Sequence, residues 1–492
     1  MVSLKLVVFL GAASAALVAC SALLGDFTVG SGGGPTDAAA AGDAPTGADG
    51  GPNRADAADS AAPRFEAVSV SAGRAHTCAI NVARDIFCWG SNASGQLGVP
   101  ISQTARSSIP VKVPLVAKAI AVAAGAFHTC AIVTGGRIQC WGANDRAQLG
   151  RDTSTATEGI DFVSDPVGGA AIVAIWKNAE VLTAGASFTC AGVTQGMFQG
   201  HPDRRFFCWG ENLARQCGTS ANNGSPNPTP SLITMNGDDR DSPQFEGSTI
   251  SAGADFACAA SYIEPGAERL SVAGCWGSRS VGQLGSPMMA DSFEVNPNRA
   301  PSRLPDGGFA PVFGPLQSPL LATGDVHGCS RMTGTTPVPL TCWGNNSDGQ
   351  TGGPVSAAQP AAAVPAFDAT DVQVLAAGGR NTCVVANGVL QCIGANDVGQ
   401  LGRGSSDILA HATFANVATL PPSVSAVAIG TSHMCAVVGG AAGQPGPVSC
   451  WGQNQNGQLG DGLDVELGYA SEPDATKRIR TAPVFVAAPR TL

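Results

Sequence analysis

The sequence predicts an all-β chain: a seven-bladed β-propeller of about four strands per blade over residues 65–492, preceded by a signal peptide (1–19) and a flexible linker (20–64). Three observations carry this prediction. A Cys…Cys-Trp-Gly frame recurs seven times, with first cysteines 52 to 71 residues apart, near the size of a four-stranded blade with loops of varying length. Glycine (64) and proline (33) are abundant, which suits short strands joined by tight turns. Charged residues make up only 13% of the 492, against a usual share of roughly 25%.

The first element is an export signal. Lys5 precedes an apolar run from Leu6 to Ala19, too short to span a bilayer comfortably. It ends in Leu17-Val18-Ala19-Cys20, which resembles the bacterial lipobox. That resemblance implies cleavage before Cys20 and acylation of its thiol, and hence a lipoprotein of the bacterial outer membrane or cell surface, with the periplasm as second choice; the alternative is an ordinary secretory signal that contains a cysteine. From Gly30 to Arg64 the chain is Gly, Ala, Asp, Pro, Ser and Thr with almost no large apolar side chains. Such a segment buries too little surface to offset its ordering entropy and reads as a tether.

The repeats follow. The first runs Ser71-Ala72-Gly73-Arg74-Ala75-His76-Thr77-Cys78, then Cys88-Trp89-Gly90, then Gly95-Gln96-Leu97-Gly98. Six more copies keep that order, the sixth with Ile393 in place of tryptophan and the third with Cys217 in the leucine slot. Each copy reads as an Ala-Gly-ended strand such as 68–72, a strand around the first cysteine, a strand ending in Cys-Trp-Gly, and a last strand near a proline, as at Pro110. The final such strand is 482–487. Ring closure is open at this level: either every blade is complete in sequence, or the C-terminal strand pairs beside the N-terminal one.

Fourteen of the sixteen cysteines fall two per repeat: Cys78 with Cys88, Cys130 with Cys140, Cys190 with Cys208, Cys258 with Cys275, Cys329 with Cys342, Cys383 with Cys392, and Cys435 with Cys450. Their separation varies from 9 to 18 residues. Metal knuckles hold their spacing, whereas a hairpin tip can lengthen without moving its paired strands. The variation therefore predicts facing cysteines on antiparallel strands, oxidised in an exported chain, with reduced buried thiols as the alternative. Cys217 is left over and reads as a buried, inert thiol.

No catalytic or metal constellation emerges. His76, His128, His327 and His433 each precede a first cysteine by two, but Phe188, Phe256 and Asn381 hold the same slot elsewhere, which favours packing over metal. Asn345-Asn346-Ser347-Asp348-Gly349 has one carboxylate and reads as a turn, not a calcium loop. With net charge -10 and five lysines, no basic stripe is available for nucleic acid. No cofactor is expected.

The frame resembles the regulator of chromosome condensation repeat, over about 430 of the 492 residues. The resemblance implies a seven-bladed propeller and a protein-binding role. The paired cysteines are not part of the intracellular family's frame and look like the adaptation of exported bacterial relatives. Light sensing, known in a plant branch, needs tryptophan after the Ala-Gly strand, where this chain has Arg74, Ala126, Ala186, Ala254, Asp325, Gly379 and Thr431.

The expected function is a monomeric, non-catalytic binding propeller at the cell envelope, with an envelope or extracellular protein as partner. An envelope enzyme acting on polysaccharide is the alternative, and nucleotide-exchange activity a remote one. Repeats three to five carry long insertions: Met197–Phe206 with His201, Arg204 and Arg205; Thr219–Glu246 with Asp238, Asp239 and Arg240; Glu264–Leu270; and Pro287–Pro319. These are the candidate binding loops, since binding concentrates on loops of a rigid scaffold.

Overall fold

The computed structural model describes residues 63–115, 117–152, 161–162, 178–198, 201–218, 226–233, 246–263, 270–285, 312–313, 320–331, 340–363, 372–440, 444–463 and 479–489. Among them every regular element is a strand. The strands form six four-stranded antiparallel sheets and a seventh of five strands, each sheet one blade.

Blade 1 shows the pattern. Its inner strand Ser69–Ala72 pairs with His76–Ile80, which pairs with Ile86–Ser91, which pairs with the outer strand Arg106–Lys112. The second and third strands form a tight hairpin in which Cys78 lies directly opposite Cys88. The same facing register recurs in all seven blades, with Cα atoms 4.0 to 4.1 Å apart, the close spacing of a non-hydrogen-bonded antiparallel pair. All fourteen cysteines are disulfide-bonded as the sequence predicts, whether the hairpin closes after 9 residues or 18.

The glycine of Trp-Gly has a specific cause. Gly90 sits at φ 103, in the region that favours glycine, and a Cβ there would lie 2.5 Å from the Ala75 carbonyl oxygen. The outer strand slips register beside this residue, as its equivalents do in several blades.

The core lies between blades. Trp209 of blade 3 is buried with Cys130, Ile132 and Leu149 of blade 2, and Trp451 of blade 7 with Leu390 and Leu401 of blade 6. All six repeat tryptophans are buried.

Ring closure combines the two arrangements left open by the sequence. Ile479–Phe485 is the outer strand of blade 7, so that blade is complete in sequence. The N-terminal Glu66–Ala67 also pairs with that blade's third strand, at Pro447 and Gly446. It extends the line of the outer strand. Phe65 accepts from Val448 N and donates to Val486 O, both at 3.0 Å. Its ring is buried edge-on against Phe87 and Trp89, with centroids 5.3 and 5.8 Å away. Arg64 covers the ring of Phe485.

Two of the predicted insertions are corrected. Met197–Phe206 is mostly hairpin, not loop: blade 3 carries long strands Phe188–Phe198 and His201–Gly210, paired out to Phe198 opposite His201. Thr219–Glu246 contains the outer strand of blade 3, Asn227–Leu232, and the first residue of the inner strand of blade 4, Glu246–Ala252. Pro228 and Pro230 fall within this outer strand, whose free edge tolerates proline. Leu270 and Val312–Phe313 are likewise strand residues of blade 4. Cys20, Asp238, Asp239 and Arg240 lie outside the described residues.

Candidate interaction surfaces

The sequence motifs resolve into devices that join blades. In Gly95–Gly98 the Gln96 carbonyl reaches blade 2, where it accepts from the Trp141 indole at 2.9 Å. All six repeat tryptophans donate in this way to the Gln carbonyl of the preceding blade, at 2.8 to 3.0 Å. The hook is preformed by an asparagine: the Asn92 side chain accepts from Leu97 N at 2.9 Å, and Asn144, Asn212, Asn346, Asn396 and Asn454 repeat the bond. This asparagine was missed from sequence, although it stands two residues after Gly90 and after the equivalent glycine of five other repeats, the fourth repeat having Arg279.

The four histidines are part of the same joints. His76 Nε2 lies 2.9 Å from Thr129 Oγ1 of blade 2. The Thr129 hydroxyl donates to the Gln96 carbonyl at 3.0 Å, so the imidazole must be the donor to it. His128 meets Thr189, His327 meets Thr382 and His433 meets Thr77 in the same way. Where the slot holds Phe188 or Phe256, the next repeat has Ala257 or Gly328 in place of threonine; after Asn381 it has Met434. Trp343 fills the space over Gly328. Hydroxyl and imidazole are thus present or absent together across each joint. Burial holds the imidazoles well below their usual range, His76 to about 3 and His128, His327 and His433 to about 4. They are neutral, and each Nδ1 lone pair is shut in without a partner. Among the described residues no group of three or more His, Cys, Asp or Glu could hold a metal.

The seven inner strands surround a central channel of about 600 Å³. Its mouth, on the side of the Trp-Gly loops, is stitched by main-chain bonds from blade to blade: Ala126 N to Ala186 O, Ala186 N to Ala254 O, Ala254 N to Asp325 O and Asp325 N to Gly379 O, at 2.9 to 3.1 Å. This explains the Ala-Gly ending. A Cβ on Gly73 would lie 2.3 Å from the Gly125 carbonyl oxygen, and one on Gly253 2.5 Å from that of Gly324. Arg74 and Asp325 line the mouth. Burial raises the Asp325 carboxyl pKa and Asp255 adds to it, while Arg74 and Arg380 pull the other way. Burial raises Asp255 and Glu211 as well. Arg380 bridges Asp348 and Asp397 at 2.9 and 2.7 Å. These mouth residues were not chosen from sequence, although the position after Ala-Gly marks two of them.

On the opposite face, Arg204 of the blade 3 hairpin stands across from Thr194 and pairs with Glu180, and Arg205 stands across from Val193. His201 closes the hairpin opposite Phe198. Cys217 is buried, and burial pushes its thiol pKa up, with the Glu211 charge adding to the rise.

Residues 85–132 match the regulator of chromosome condensation (RCC1) repeat, and residues 67–96 and 119–148 match a second description of that repeat. A probable E3 ubiquitin-protein ligase, HERC4 of Rattus norvegicus, is 38% identical over 86 residues, which are 17% of this chain and 8% of the relative. The guanine nucleotide exchange factor SRM1 of Saccharomyces cerevisiae is 39% identical over 79 residues, 15% of this chain and 16% of the relative. The chain thus matches only a small part of these relatives' length. Among solved structures, Prp20p of Saccharomyces cerevisiae superposes with a TM-score of 0.58 at 20% identity, covering 85% of this chain and 87% of that one. Human WBSCR16 gives 0.57 at 18%, covering 82% and 95%. Both likenesses are of fold. Repeat, joints and ring agree: residues 67–148 match the regulator of chromosome condensation repeat, and the chain folds as a seven-bladed β-propeller like those solved for members of that repeat family.

Proposed function

We propose that this propeller is a non-catalytic protein-binding module held at the bacterial cell envelope by lipid on Cys20. The observation that carries the reading is the set of seven disulfides, one per blade, buried except that Cys275 is partly exposed. Such bonds persist in oxidising compartments and are rare in the cytosol. The candidate lipobox ending at Cys20 supports the same address. Protein binding is supported by the yeast propeller, which was solved bound to Kap60. Within this chain the four histidines most open to a catalytic reading are spent, neutral and buried, in joints between blades.

Two measurements test the reading. Fractionation of the native host, followed by mass mapping under non-reducing conditions, is expected to find acylated Cys20 and a Cys78–Cys88 crosslink in the envelope fraction. An unmodified Cys20 in a cytosolic chain with free thiols would overturn it. Residues 58–492, which hold both halves of the closing clasp, are expected to retain an envelope protein that then binds the purified propeller at a fixed ratio in calorimetry.

A further inference from the structure

We propose that the Cys258–Cys275 disulfide of blade 4 is a thiol-exchange site: a dithiol reductant opens it ahead of the other six and loosens that blade within a closed ring. This chemistry goes beyond partner binding and does not depend on it.

Four features single out blade 4. The first is cover. In each of the other six blades a residue of the outer strand pairs opposite the second cysteine, as Val111 does with Cys88 and Ser231 with Cys208. In blade 4, among the described residues, the outer strand Val312–Phe313 pairs only with Ser271 and Leu270, and Ser271 lies four residues short of Cys275. The second is exposure. Thirteen of the fourteen bridged cysteines are buried, and Cys275 alone is partly exposed.

The third feature is the joints. A His–Thr bond links blade 1 to 2, 2 to 3, 5 to 6, and 7 to 1. Every blade except blade 4 therefore shares in at least one such bond. Blade 4 meets blade 3 through Phe188 and Ala257, and blade 5 through Phe256 and Gly328. The fourth is the hook. Arg279 stands where the other six blades have the asparagine that preforms it.

An attacking thiolate must reach one sulfur of the bridge, so access decides which disulfide exchanges first. Cys258 is fully buried, which leaves Cys275 Sγ as the sulfur attacked. The incoming thiolate bonds to that sulfur, and the Cys275–Cys258 bond breaks. Its electron pair leaves on Cys258 Sγ, which takes a proton. The reductant's second thiolate then attacks its own sulfur in the mixed disulfide and expels Cys275 as a thiolate, which is protonated in turn. The bridge gains two electrons and two protons, and the dithiol becomes a disulfide.

Reduction removes the crosslink between Phe256–Ile263 and Leu270–Gly277. It leaves the ring closed, because Trp276 still donates to Gln216 O at 3.0 Å and Trp343 to Gln283 O at 2.8 Å. What it frees is a blade with no imidazole–hydroxyl bond to either neighbour.

The test is partial reduction of the intact oxidised chain with dithiothreitol at pH 8, stopped at intervals with N-ethylmaleimide and mapped by peptide mass. Cys258 and Cys275 are expected to be labelled about tenfold faster than any other bridged pair. Another pair opening first, or all seven opening at one rate, overturns the proposal. In Cys258→Ala/Cys275→Ala the fast phase is expected to vanish, and its persistence at another pair also overturns the proposal. Hydrogen exchange in that variant is expected to rise in Phe256–Ile263 and Leu270–Gly277 and to stay unchanged in His76–Ile80. Unchanged exchange in the blade 4 hairpin would show that the bridge does not hold the blade, and the proposal fails. If the variant does not fold, the reduction kinetics of the unsubstituted chain decide alone.

Discussion

The joint between blades 1 and 2 allows a sharp test, because the chain contains its own controls. His76 donates to Thr129, whose hydroxyl passes on to Gln96 O. Both side chains are fully buried. Thr129→Ala leaves the imidazole N–H without an acceptor in a dry interface. An unsatisfied buried donor costs about 1–3 kcal/mol, and the lost packing adds to that. His76→Phe alone forces a larger ring against an unchanged threonine, an overpacking cost of about 1–3 kcal/mol. The double variant recreates the pairing of Phe188 with Ala257 found at the joint of blades 3 and 4, so its total cost should be no more than about 1 kcal/mol. The coupling between the sites should therefore reach about 2–4 kcal/mol in favour of the matched pair. The assay is urea unfolding at pH 7.5 followed by tryptophan fluorescence, comparing midpoints at constant slope. Strictly additive single variants, or a double variant worse than either, would refute the view that these positions are a coupled joint.

Four further outcomes are expected. Stability should fall on acidification from pH 6.5 towards 4, because histidines held near 4 in the folded chain recover an ordinary value near 6.5 on unfolding, so the unfolded state takes up the protons first. By pH 5 the loss is about 2 kcal/mol per histidine, read by urea midpoints across pH. Gly125→Ala, whose Cβ would lie 2.7 Å from the Gly185 carbonyl oxygen, should cost more than about 3 kcal/mol, whereas Gly196→Ala, with nothing within 4 Å, should change the thermal midpoint little. A chain beginning at residue 68 should be less stable than one beginning at residue 58 by about 4 kcal/mol, the order of removing one buried phenylalanine, by denaturant titration of both. Cys217 should resist iodoacetamide at pH 8 in the folded chain and take up one equivalent in urea, since its burial disfavours the thiolate.

The local half of this architecture was legible and the relational half was not. Cysteine pairs, Trp-Gly and Gly-Gln-Leu-Gly recur within one repeat, so inspection finds them. The histidine joint is equally written in the sequence, but its partner is the threonine of the following repeat, and it shows only when slots are compared one repeat out of step. The clasp of Phe65 against Val448 and Val486 has no periodic signature, because it joins segments near opposite ends of the chain. The long blade 3 hairpin was read as loop although Pro202, a residue type common in turns, lies in a strand paired with Met197.

The clasp imposes an order of events on the growing chain. Each disulfide joins residues no more than 18 apart, so every hairpin can be locked as soon as it has been made. Phe65 is among the first propeller residues made, yet its place exists only once Val486, 421 positions later, has arrived. Until then the first blade carries an unpaired strand and an uncovered Trp89. Nascent blades are secured one at a time, and the circle is sealed only once Val486 has been made, so a chain broken off before that residue should expose a sticky, protease-sensitive seam beside Trp89.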